Sequence, residues 1–151
     1  MPSIVITTYI NAPIERCFDL SRSIDLHTDS MKHTGEKAIA GRTSGLIELG
    51  ETVTWQAKHF GIRQKLTSKI TVFDRPNYFV DEQVIGAFKS FRHEHRFARQ
   101  HGQTLMTDLF SFESPLGLLG QLANILFLKS YMKRLLLKRN EIIKQAAESV
   151  H

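Results

Sequence analysis

Between Glu51 and Phe112, apolar and polar positions alternate with a period of two, the pattern of half-buried antiparallel strands. Val53, Trp55, Ala57 and His59 form one series. After a turn at Phe60-Gly61, Ile62, Gln64, Leu66, Ser68, Ile70 and Val72 form the next. A tight turn there pairs Trp55 with Leu66 and Ala57 with Gln64, which keeps both sets on one face. Asp74-Arg75-Pro76-Asn77 reads as a turn, Tyr78 to Ile85 as a strand, and Gly86-Ala87 as a further turn. Phe91–Phe97 and Thr104–Phe112 then predict a hairpin. If its loop is Gln100-His101, residue 97 pairs with 104, 95 with 106, 93 with 108 and 91 with 110.

The flanks follow other periods. Ser3 to Ile10 alternates and starts as a strand. Asn11 can cap a helix with Pro13 in its first turn, carrying Ile14, Cys17 and Phe18 inward. A second short helix fits Ser23 to Met31, with Ser23 as its cap. Residues 32–50 hold four glycines and predict a short strand and an irregular loop. From Leu118 to Glu148 the period becomes helical: Leu118, Leu122, Ile125, Leu128, Met132, Leu135, Leu136, Ile143 and Ala146 share one broad face. Such a helix is roughly 45 Å long at 1.5 Å per residue.

This order predicts an α+β fold, with a curved antiparallel sheet of about six to seven strands wrapped round the long C-terminal helix. Only that helix is long enough to cover the sheet's apolar face. A curved sheet and a straight helix cannot interdigitate at both ends, so a cavity between them is expected. The length of 151 residues suits one domain spanning 1–151.

Several segments carry a resemblance. Ile10-Asn11-Ala12-Pro13-Ile14-Glu15-Arg16-Cys17-Phe18-Asp19-Leu20 resembles the strand-to-helix opening of the START-like (SRPBCC) superfamily. That group includes birch-pollen-allergen-like proteins, polyketide cyclases and aromatases, and lipid-transfer domains. His93-Glu94-His95-Arg96-Phe97, Thr104-Leu105-Met106-Thr107-Asp108 and Ser114-Pro115-Leu116-Gly117 look like its bacterial branch, whose members are labelled polyketide-cyclase-like or cell-division-inhibitor-like. The resemblance covers essentially the whole chain and implies a helix-grip fold. It marks a scaffold and not one reaction.

Composition narrows the function. Hydrophobic content of 42% and charged content of 23% are those of a soluble globular protein. The net charge of +5 is scattered and comes with no nucleic-acid-binding motif, so no nucleic-acid partner is expected. One cysteine, Cys17, excludes an internal disulfide. No signal-peptide pattern opens the chain, and a cytoplasmic protein is expected.

The candidate chemistry lies on the predicted hairpin face of Phe91, His93, His95, Phe97, Met106, Asp108, Phe110 and Phe112. Polar groups set into such a surface need partners or a cavity. His93 opposite Asp108 could be an oriented general base, or a cross-strand pair that only stabilises the sheet. His93, His95 and Asp108 could supply three ligands of an open zinc site, but nothing else supports one. No metal or cofactor is assigned.

Trp55, Gln64, Leu66, Ser68, Tyr78, Phe88, Phe91, Met106, Phe110, Leu122 and Ile125 are pocket-lining candidates. Gln64 and Ser68 on an otherwise apolar inner face are the most informative, since a buried Gln wants up to four hydrogen bonds. Residues 118–128 are apolar almost all round, which calls for a cover. The 32–50 loop or a second subunit is expected there, with a membrane surface third. A small hydrophobic ligand is therefore the expected partner. A cyclase- or dehydratase-type enzyme using His93 or His95, and an interaction protein acting through the helix start, are the alternatives.

Overall fold

The computed structural model describes residues 2–113 and 118–149, and for 118–125 the backbone alone. The elements are β1 (Ser3–Ile10), α1 (Ile14–Ser21), α2 (Ile24–Ser30), a 3-10 turn at Lys32–Thr34, β2 (Lys37–Gly41) and β3 (Thr52–His59). Then follow β4 (Ile62–Asp74), β5 (Tyr78–Ile85), β6 (Ser90–Gln100), β7 (Gln103–Glu113) and α3 (Leu118–Glu148). The strands form one antiparallel sheet ordered β1-β7-β6-β5-β4-β3-β2. From β2 to β7, strands consecutive in the chain lie side by side. Only β1 joins from a distance, after α1 and α2 have crossed one end of the sheet.

The alternating pattern fixes which face is inner. Ile4, Ile6 and Ile10 of β1, Phe91 and Phe97 of β6, and Met106, Phe110 and Phe112 of β7 are all buried. So are Leu136, Ile143 and Ala147 of α3, in the layer facing them. The apolar core is divided in two. One cluster centres on Phe18, whose ring meets Phe73, Phe79 and Phe97 edge-on at 5.2–5.4 Å, a geometry that suits the aromatic quadrupole. The other joins Ile4, Ile6, Phe91, Phe110, Phe112 and Leu136.

Ser23 caps α2 by accepting from Leu26 N, as its position predicted. The β3–β4 register pairs Trp55 with Leu66 and Ala57 with Gln64, also as expected. Asn11 does not cap α1. Pro13 occupies the cap position with no side-chain bond, and Asn11 N donates instead to Glu148 Oε2 at the end of α3.

The β6–β7 register also differs from expectation. The loop is His101-Gly102, so His95 faces Asp108, His93 faces Phe110, and Phe97 faces Met106. Both loop residues have positive φ, 51° and 78°. A two-residue turn of that type takes its glycine at the second central position, which moves the loop one residue onward. The pairing shifts by two, so every side chain keeps its face.

Among the described residues, the 42–51 segment is bonded to the first two helices and the sheet. Arg22 Nη1 donates to Ile47 O, Ile47 N to Arg22 O, Ile24 N to Gly45 O, and Gly50 N to Ile70 O. These bonds fasten the loop to α1, α2 and β4, with Ile47 buried beneath it. The cover expected over residues 118–128 concerns side chains that lie largely outside the described residues. The Ser114-Pro115-Leu116-Gly117 approach to α3 lies outside the described residues.

Candidate ligand cavity

A cavity of about 750 Å³ lies between the inner face of the sheet, α2, the 42–51 segment and α3. Trp55, Ile47, Ile70, Phe91, Phe110 and Leu136 supply much of its apolar wall. Its polar floor is made by Asp81 of β5, His93 and His95 of β6, and Arg139 of α3. These positions follow from period two: Phe79, Asp81 and Gln83 alternate inward, as do Phe91, His93, His95 and Phe97.

Asp108 lies behind this floor and is fully buried. Its Oδ1 is 2.8 Å from His93 Nε2 and 3.3 Å from Arg139 Nη1, while Oδ2 accepts from Asn140 Nδ2 at 2.7 Å. An ionised carboxylate only accepts, so His93 donates from Nε2. His95 Nε2 donates in the same way to Asp81 Oδ2 at 2.7 Å. His95 Nδ1 is 3.4 Å from both Arg139 Nη2 and Asp108 Oδ1, between a donor and an acceptor. Arg139 also donates to Asn140 Oδ1 and to Ser21 O. No buried side-chain nitrogen or oxygen among the described residues is left without a partner.

The rings are stacked as well as bonded. His95 lies flat on Phe79 at 4.0 Å, and His93 stacks on His95 at 3.8 Å. Burial, together with the nearby His95 ring, pushes the His93 pKa down to about 4, against the pull of Asp108. Burial also disfavours the charge on Asp108, but hydrogen bonds from His93 and His95 and the Arg139 guanidinium outweigh it and hold its pKa well below the usual range. Asp81 is lowered for similar reasons: desolvation opposes its charge, and the bond from His95 prevails.

Among the expected site residues, Trp55, Gln64, Leu66, Ser68, Phe88, Phe91, His93, His95 and Phe110 line the cavity. Three do not. Tyr78 sits on the other face, with its hydroxyl on Glu94 and its ring under Arg96, because β5 turns Phe79 and Asp81 inward instead. Met106 packs into the Phe18 cluster and receives a bond from Ser21 Oγ. Asp108 acts through His93 and Arg139 and has no wall of its own. The side chains of Leu122 and Ile125 lie outside the described residues.

Sequence reasoning missed Asp81, Arg139 and Asn140. Asp81 was legible as an inward position between Phe79 and Gln83. Arg139 and Asn140 interrupt the apolar stripe of α3 between Leu136 and Ile143, and a charged residue on a buried stripe implies a buried partner.

Metal-ligand atoms of Asp81, His93 and His95 lie within 4.8 Å of one another, a different trio from the one expected. Each is already engaged: His95 with Asp81, and His93 with Asp108. A fixed guanidinium also stands 3.4 Å from His95 Nδ1, where it would oppose a cation. The arrangement is a satisfied hydrogen-bond network that presents acceptors and donors to a cavity.

No family model and no curated protein matches the sequence. Solved structures do match the fold. TTHA0849 from Thermus thermophilus is 19% identical, with a TM-score of 0.73 over 97% of this chain and 99% of that one. Ara h 8.0201 is 11% identical, with a TM-score of 0.74 over 99% of each chain. The major latex-like protein 151 of Panax ginseng is 16% identical, with a TM-score of 0.70 over 97% of each. At these identities the likeness concerns architecture: the chain has the START-like, birch-pollen-allergen-like helix-grip fold.

Proposed function

We propose that the protein binds a small, mostly apolar molecule between the sheet and α3, with the ligand's polar end at the His93–His95–Asp81–Arg139 floor. The observation that carries this reading is a cavity of about 750 Å³ whose apolar walls end on one buried, hydrogen-bonded polar cluster. Ligand sites combine such walls with a few convergent polar groups, within roughly 300–1,000 Å³. Burial of apolar ligand surface drives association, and the floor selects orientation. Ligand-binding relatives in the superfamily that the sequence resembles agree with this reading.

Native mass spectrometry of the purified protein, before and after extraction with organic solvent, tests it. A retained small molecule, or one-to-one uptake of an added fatty acid or aromatic probe, is the expected result. The reading is overturned if Ser68→Phe, which puts an aromatic ring into the cavity, takes up a fatty acid as tightly as the unaltered protein.

A second reading is acid–base catalysis on the bound molecule, in the manner of a cyclase or dehydratase. One observation favours it: two imidazoles on a cavity wall are each held by a carboxylate, His93 by Asp108 and His95 by Asp81. It requires turnover with a bell-shaped pH profile, lost in His95→Gln while binding is kept. Binding without turnover in the unaltered protein leaves the first reading alone.

A further inference from the structure

Three lining residues of the cavity, Phe60, Ile62 and Phe127, are themselves 52%, 63% and 53% exposed, so they form its rim. Leu126 beside them is 66% exposed. The rim is one unit: the Phe60 ring lies 5.1 Å from Phe127 and 4.6 Å from Tyr131, and His59 Nδ1 bonds the Tyr131 hydroxyl. The tip of the β3–β4 hairpin is thus fastened to α3, while Phe60 and Ile62 remain more than half exposed.

Phe60 holds an unfavourable backbone to do this. Its φ is 55°, beside Gly61 at 75°, in a two-residue turn closed by His59 and Ile62. Turns of this kind favour asparagine, aspartate or glycine at the first central position, and a bulky aromatic there is a steric outlier. Such outliers cluster where a side chain is needed for function.

Basic residues flank this greasy tip. Lys58, Arg63 and Lys65 on the hairpin and Lys129, Lys133 and Arg134 on α3 are all exposed. None of the six takes part in a salt bridge among the described residues. No aspartate or glutamate occurs in 52–73 or in 114–140, although the whole chain holds 15. Glu36, which also lines the cavity, is mostly buried and paired with His27.

The geometry points to this rim as a docking surface for an anionic lipid membrane, with the cavity mouth set against the bilayer. Phenylalanine, isoleucine and leucine tips suit the acyl boundary, and flanking Lys and Arg outside any salt bridge among the described residues suit acidic headgroups. A second copy of the chain does not fit, because a two-fold contact would set six like charges against six. Docking stands on the rim alone. That the cavity draws its ligand from the bilayer rests on the reading of the preceding section.

Flotation with vesicles tests docking. The full chain should float with vesicles of equal parts phosphatidylcholine and phosphatidylglycerol, weakly with phosphatidylcholine alone, and less as salt rises. Lys129→Glu with Lys133→Glu should weaken binding at least about tenfold. Phe60→Asn relaxes the turn, so it should fold and still lose several-fold in binding. Ser68→Phe, which narrows the cavity, should float like the unaltered protein; if it does so while taking up less fatty acid, docking and ligand binding are separate. Equal binding to both vesicle types overturns the proposal, as does full binding by the charge-reversed variant. Binding to duplex DNA that matches vesicle binding and ignores Phe60→Asn would mark a surface for polyanions and also overturn it.

Discussion

Arg139 and Asp108 form an ion pair at 3.3 Å that is closed to solvent, so the long helix is fastened to the last strand through the interior. Its value depends on completeness. Asp108 is also bonded by His93 and Asn140, and Arg139 by Ser21 O and Asn140 Oδ1, so no charge is left unaccompanied.

Breaking that pair from one side should be expensive. Arg139→Met leaves Asp108 buried without its cation, and a loss of about 3–5 kcal/mol is expected from urea unfolding. Asp108→Asn with Arg139→Met should lose less than the two single changes summed, because both charges leave together. Additive losses would show that the pair is not coupled.

Acid should weaken the fold before the carboxylates titrate. His93 is held near pKa 4 in the folded chain, against about 6.5 when unfolded. Between those values the unfolded chain binds the extra proton, so stability falls as pH drops from about 6.5 to 4, by up to roughly 3 kcal/mol. His59, lowered by burial, acts in the same direction. The lowered pKa values of Asp81 and Asp108 add a further loss, confined to pH below about 4. Thermal melts of His93→Gln should lack most of the first step and retain the second.

Trp55 is the only tryptophan in the chain, it lines the cavity, and its ring lies 4.4 Å from that of His27. Its emission should therefore shift when a fatty acid or an aromatic probe enters. Ser68→Phe should weaken the shift and leave the unfolding midpoint in urea near that of the unaltered protein. An unchanged titration in the variant would place binding elsewhere.

Ser23 offers a local test. Its side chain accepts from Leu26 N, and Ser23→Ala should cost about 1 kcal/mol, while Ser23→Asp should keep most of the stability. If α2 then frays, Met31 and Ile24 lose their packing at the cavity wall, and probe affinity should fall with stability.

Much of the fold was legible because period two and period 3.6 each name a buried face. The strand Tyr78–Ile85, the helix Leu118–Glu148 and the Trp55–Leu66 pairing all come from that pattern. The β6–β7 register was not read correctly, because hydrophobic alternation is unchanged by a shift of two. Only the backbone preference of Gly102 distinguished the choices, through the turn that it closes. Tyr78 was misplaced for the opposite reason: its residue type suits a pocket, while its parity puts it outside.

The sequence by itself determined that an apolar sheet face carries His93, His95 and Asp108, since parity alone sets that. Tertiary structure decided what they meet. Asp81 arrives from β5, and Arg139 with Asn140 from α3, elements that the chain separates by two further strands. Hydrogen bonding and charge neutralisation act over a few ångströms in space, and no local pattern encodes which distant groups will come that close.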